Sequence, residues 1–177
     1  MKKVLYLATM LLCMAITSCQ KEDIGGTATE SLAGDWYVQA SVGGEAITGS
    51  FHLFTYNTSA NNPNEIFVDD QGNFWDFKIK AAAELNGLTF SAIDAQNLSY
   101  DCKVSVTNAK IVKNGGFQNN GSPADLISMD VTFSDDEDGL VYHLEGVRYS
   151  GLEENDKVSN LTILLAPAKH RLNGGDS

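Results

Sequence analysis

From Leu32 onward, apolar and polar residues alternate with a period of two over most of the chain. Side chains two apart share one face of an extended strand, so this period predicts strands with one buried side. Trp36, Val38 and Ala40 open the pattern. Glu65–Val68 and Asn73–Ile79 flank Asp69-Asp70-Gln71-Gly72, which predicts a tight hairpin. Its second arm places Trp75, Phe77 and Ile79 on one face and Asp76, Lys78 and Lys80 on the other. Leu88-Phe90-Ala92, Leu98 to Val106 and Ala109 to Val112 continue the alternation. Met129-Val131-Phe133 and Leu140-Tyr142-Leu144 predict another hairpin around Asp135-Asp136-Glu137-Asp138-Gly139, and Leu161 to Ala166 a last strand before Pro167. Ala81-Ala82-Ala83-Glu84-Leu85 is the best helix candidate, and Gly87 ends it within about one turn. Asn114 to Ala124 and Asn57 to Asn64 read as the two longest loops. Regularly spaced strands between turn signals, with no internal repeat, predict an all-β antiparallel fold, either a barrel or a sandwich.

The first two dozen residues follow a different pattern. Lys2 and Lys3 precede an apolar run from Val4 to Ile16, then Thr17-Ser18 and Cys19. The run is too short for a hydrocarbon core of about 30 Å and matches the apolar region of a secretory signal. Residues 1–18 therefore read as a cleaved signal peptide. Ile16-Thr17-Ser18-Cys19 resembles a bacterial lipobox, which implies cleavage before Cys19 and acylation of that residue. Without the resemblance, the segment reads as an ordinary signal with an incidental cysteine. Gln20-Lys21-Glu22-Asp23 resembles the surface-export signal of Bacteroidetes lipoproteins, which implies anchoring in the outer membrane with the chain exposed at the cell surface. Residues 19–31 are polar and read as a flexible tether of roughly 20 Å, leaving 32–177 as a single domain.

Charge narrows the range of partners. The 177-residue chain carries a formal charge of −11, which becomes −13 once Lys2 and Lys3 leave with the signal. No basic patch is present, so nucleic acid is excluded as an expected partner and adhesion to anionic headgroups is disfavoured. A lipid on Cys19 then supplies the membrane attachment by itself, each buried methylene contributing about 0.8 kcal/mol. With Cys13 in the signal and Cys19 acylated, Cys102 has no intramolecular partner. It alternates with Leu98, Tyr100, Val104 and Val106, which predicts a buried, inert thiol on the apolar face of a strand.

Catalytic patterns are sparse. Acyl hydrolysis needs a nucleophile beside a base and a device for the oxyanion. The chain has no Gly-x-Ser-x-Gly elbow, and His52, His143 and His170 stand singly, without zinc-ligand spacing. No catalytic residue, cofactor or metal site is expected. Ser134 to Gly139 followed by Glu145 nearly matches a calcium loop, with Asp136, Asp138 and Glu145 as ligands, but Ser134 replaces the first ligand. Both flanks read as strands, so an acidic hairpin tip accounts for the same residues.

Gly34-Asp35-Trp36 resembles the Gly-x-Trp opening of lipocalins and related calycins. That resemblance implies a barrel of about eight strands, with Trp36 plugging its narrow end and an arginine on a late strand packed over the ring. Arg148 is the candidate, at even spacing from Leu140, Tyr142 and Leu144. The second lipocalin signature, Thr-Asp-x-Arg, is absent. Across more of the chain, "AGDWYV", "FHLFTYNTS" and "NFWDFKIKAA" resemble a Bacteroidetes lipoprotein family named lipid-binding putative hydrolase, and the name implies a lipid-binding barrel. An eight-stranded barrel has room for one small ligand. Tyr56, Trp75, Phe77, Tyr100 and Tyr142 are the rings expected to line such a cavity, or else to fill the core, with Arg148 as a charge-assisted partner for a fatty-acid-like carboxylate. The expected function is non-catalytic binding of a small hydrophobic or amphipathic ligand. The alternatives are a glycan- or protein-binding sandwich and an esterase. The sequence gives no oligomeric state.

Overall fold

A computed structural model describes residues 25–152 and Asn155. Residues 25–152 contain no helix and form nine antiparallel strands. These are β1 (Gly34–Val42), β2 (Glu45–Ala46), β3 (Phe51–Asn57), β4 (Glu65–Asp69), β5 (Lys78–Glu84), β6 (Thr89–Gln96), β7 (Lys103–Phe117), β8 (Pro123–Phe133) and β9 (Tyr142–Arg148). Each long strand pairs with the next along the chain, and β9 returns to pair with β1 from Trp36↔Arg148 to Ser41↔His143. That last ladder closes an eight-stranded meander barrel, with the two-residue β2 appended to the end of β1. Closure decides the architecture in favour of the barrel over the sandwich, because it leaves no open edge.

The period-two pattern supplies the inside of this barrel. Trp36, Val38, Leu53, Ile66, Val68, Ile79, Ile111, Ile127, Met129 and Leu144 have essentially no accessible surface. The central interior is therefore packed with side chains rather than hollow.

Several boundaries differ from the sequence expectation. The ladder between β4 and β5 ends at Asp69↔Lys78, so the connection is the eight-residue segment 70–77 rather than a tight turn at 69–72. Trp75 and Phe77 thus belong to a loop. Ala81, Ala82 and Ala83 lie in β5 rather than in a helix, since Ala81 and Ala82 pair with β4 and Ala82 and Ala83 with β6. One turn of helix cannot offset its nucleation cost against two ready ladders. Leu98 and Tyr100 fall outside the strands, because Asn97 ends β6. The Asn97 side-chain oxygen accepts from the Lys78 and Ser99 N–H groups, and its amide donates to the Asp76 carbonyl. The loop expected over 114–124 shrinks to 118–122, as β7 and β8 pair out to Phe117↔Pro123. The predicted strand Leu161–Ala166, together with Cys13, Cys19 and His170, lies outside the described residues.

Candidate functional site

The two ends of the barrel differ in chemistry. At the end where β3 and β9 begin, the loops 43–50, 70–77, 97–102 and 134–141 surround a mouth. The loop 70–77 is built on one carboxylate. Asp70 is fully buried and accepts hydrogen bonds from five backbone N–H groups, those of Gly72, Phe74, Trp75, Asp76 and Phe77, at 2.7–3.0 Å. A buried charge is tolerable when hydrogen bonds replace its hydration, and here the loop's own backbone does so. This cradle projects Phe74 and Trp75 over the mouth. Trp75 stacks on Phe133 at 4.6 Å between ring centroids and sits 5.2 Å from Tyr142. Phe74 stacks on Phe51 at 5.5 Å and meets Tyr142 edge-on at 5.4 Å. Phe77, beneath them, has no exposed surface.

Around these half-buried rings the rim is unusually apolar. Ile47, Leu98 and Val141 are each about half exposed (49 %, 57 % and 53 %), and Leu140 and Tyr100 are exposed as well. Between them stand carboxylates. Asp135 accepts from the Tyr100 hydroxyl at 2.7 Å and from the Cys102 thiol at 2.9 Å, and these two bonds, that of Cys102 foremost, hold its carboxyl below the usual range. Burial and then Asp135 push the Tyr100 hydroxyl far up. Asp136 accepts from the backbone N–H groups of Asp138 and Leu140 and from the Tyr142 hydroxyl. The calcium-like sequence is thus a turn organised by Asp136, while Glu145 lies away from it on β9 beside His143. Among the described residues, no three His, Cys, Asp or Glu side chains come together in a way that would hold a metal ion.

The opposite end is closed by Trp36. Its indole Nε1–H donates to Thr55 Oγ1 at 2.8 Å, and the Thr55 hydroxyl donates to the Leu32 carbonyl. The Arg148 guanidinium carbon lies 4.5 Å from the centroid of the Trp36 ring, within cation–π range. Arg148 also donates to the Ala33 carbonyl (3.0 Å) and to Asp125 (3.3 Å). A side chain at Gly34 would place its Cβ 2.6 Å from Arg148 Nη1 and 2.8 Å from the indole, which is why this position carries no side chain.

The candidate residues therefore separate. Trp75, Phe77 and Tyr142 meet at the mouth, and Tyr100 sits on its rim. Arg148 lies at the far end with Trp36. Tyr56 points away from the interior, because its neighbours Leu53 and Thr55 occupy the buried face of β3, and its hydroxyl donates to Asp69. His52 and His143 hydrogen-bond to Asp35 (2.8 Å) and Asp130 (2.7 Å), and neither ring bonds to a serine or threonine hydroxyl among the described residues. A separate open groove of about 470 Å³ lies by the turn between β5 and β6, lined by Ala82, Ala83, Phe90 and Ala109 and flanked by Glu84 and Lys110.

The family described as lipid-binding putative hydrolase matches residues 21–153. The chain belongs to this family. No curated protein matches it. Among solved structures it is similar to a structural-genomics protein of unknown function from Bacteroides ovatus, at 13 % identity and a TM-score of 0.40. That likeness covers 71 % of this chain and 42 % of the other, so the chain spans less than half of that protein's length. Sequence reasoning missed Phe51, Phe74, Phe133 and the exposed rim of Ile47, Leu98 and Val141. Phe74 adjoins Trp75 and Phe133 ends an alternating strand, so both carried a signal. The rim residues carried none, because only closure of the barrel brings their loops together.

Proposed function

We propose that this protein is an outer-membrane lipoprotein, anchored through Cys19, that holds a small hydrophobic or amphipathic ligand at the barrel mouth without catalysis. The observation that carries this reading is the concentration of exposed apolar side chains around Phe74 and Trp75, at the end where the rings are only half buried. Large exposed apolar groups clustered in one place favour an apolar ligand or partner. Family membership supports a lipid as that ligand. Since the interior below the mouth is packed, the ligand rests among the mouth rings rather than deep in the barrel. Its polar end is neutral or cationic. Arg148 is at the far end with its guanidinium engaged, whereas Asp135 and Asp136 stand at the rim, where they repel a carboxylate. At the far end, Trp36 under Arg148 serves as the plug.

The test is displacement of a neutral naphthylamine probe by oleyl alcohol, oleylamine and oleate. Saturable probe binding is expected, with oleate the weakest competitor. Trp75→Ser should weaken binding by about tenfold, or about 1.4 kcal/mol, while Ala82→Glu in the separate groove should leave it unchanged. Binding that survives Trp75→Ser and disappears with Ala82→Glu would move the site off the mouth.

A further inference from the structure

The outer wall formed by β1, β3 and β4 is aromatic where a soluble barrel is ordinarily polar. All three outward positions of β3 are rings, namely His52, Phe54 and Tyr56. Register continues the row on both sides, since Tyr37 pairs with His52 and Phe67 with Tyr56. Tyr149 packs edge-on against His52 at 4.6 Å, Tyr37 lies 5.3 Å from the same ring, and Tyr56 lies 5.6 Å from Phe67. Lys78 sits 5.3 Å from the centroids of both Tyr56 and Phe67, and Lys80 lies 6.0 Å from Phe67.

Two features indicate what this wall rests on. First, its charges are mutually matched within a chain of formal charge −11. Asp69 pairs with Lys78 (3.4 Å) and Glu65 with Lys80 (3.2 Å), while Asp35 hydrogen-bonds to the His52 ring (2.8 Å). The wall therefore presents no large uncompensated field to a neutral partner. Second, the chain enters the fold beside it. The Ala28 N–H donates to the Asn61 side chain (2.8 Å) in the loop joining β3 to β4, and Tyr56 and Phe67 lie on the strands leading into that loop. Cys19 is nine positions earlier, and nine residues span at most about 30 Å. A chain acylated at Cys19 would therefore keep this wall within reach of the bilayer. Tyrosine and phenylalanine rings flanked by lysines suit the headgroup layer, where one end of a ring is apolar and the other wet.

We infer that the outer face of β3 and β4, with Phe54, Tyr56 and Phe67, lies against the bilayer interface, so that the mouth opens along the membrane rather than into it. This rests on the anchoring at Cys19 proposed above. The test places tryptophan on the wall (Phe67→Trp, with Tyr56→Trp as an independent second position) or at an exposed position of β6, a strand that pairs with none of the wall strands (Ile93→Trp). Each full acylated chain is reconstituted in phosphatidylcholine vesicles with or without brominated acyl chains. Quenching beyond that of the unaltered chain is expected to be at least twofold for the two wall variants and absent for Ile93→Trp. Wall and β6 variants quenched alike, in chains that stay with the vesicles through a carbonate wash, would overturn the inference alone. Chains that wash off would overturn the anchoring reading with it. Wall-tryptophan emission that responds to soluble polysaccharide but not to brominated lipid would make the wall a glycan platform and also overturn the inference.

Discussion

At the scale of single residues, the far end of the barrel shows how one position constrains the next. Gly34 lacks a side chain because the Arg148 guanidinium and the Trp36 ring already occupy the space. Arg148 in turn links the entering chain (Ala33), the plug ring (Trp36) and the β8 carboxylate Asp125. Replacing it with methionine keeps much of the packing but removes the cation and its donors. Arg148→Met is expected to lower stability by about 1–2 kcal/mol in urea unfolding. If the ring contact matters, a double-mutant cycle with Trp36→Leu should return a coupling of about 0.5–1 kcal/mol. A coupling of zero would assign the whole loss to the hydrogen bonds.

Among the elements, the ladder between β1 and β9 is the one on which closure depends. Gly146 sits in the middle of it, and a Cβ there would run into the Tyr37 and Val38 backbone. Backbone cannot move aside as a flexible side chain can. Gly146→Ala should therefore cost at least about 3 kcal/mol, visible as a collapsed near-ultraviolet dichroism signal or a sharply lowered unfolding midpoint. A variant as stable as the parent would mean that the two strands are not this close. What could be read from the sequence follows the same distinction between local and non-local causes. Alternation along β9 is local, so the even spacing that turns Arg148 toward the face of Leu144 was legible. The register that sets Arg148 opposite Trp36 spans more than a hundred residues and was suggested only by resemblance. The loop 70–77 was hidden for another reason. Backbone N–H groups gathered on Asp70 leave no periodic trace, and Asp69-Asp70-Gln71-Gly72 has the composition of a short turn. Tyr100 was misplaced because one side chain, Asn97, ends β6 within an otherwise alternating stretch.

For the molecule as a whole, the excess of acid groups is held in check by specific partners. Asn108 and then His143 hold Asp130 below the usual carboxylate range. Burial pushes Asp125 up, but Lys113, the Asn114 N–H and Arg148 outweigh it, so its net shift is downward. Asp135 is lowered by Cys102 and Tyr100, and Glu65 by Thr58 and Lys80. A carboxylate lowered in the folded state stabilises the fold above its unfolded value of about 4, and that contribution is lost as pH falls through the folded value. The unfolding temperature should therefore change little between pH 7 and pH 5 on account of these groups and drop steeply below about pH 4. Asp130→Asn should destabilise the fold at pH 7, and the difference from the parent should narrow toward pH 3. A gap that stays constant in thermal melts across that range would remove Asp130 from the acid response.

Asp70 carries one further consequence, for how this family can diversify. Its five partners are all backbone groups, so the loop keeps its shape largely independently of which side chains it displays. The hydrogen bonds that shape the loop thus do not depend on which side chains stand at positions 74 and 75. A barrel built this way can exchange the chemistry of its opening one residue at a time without refolding the segment that bears it.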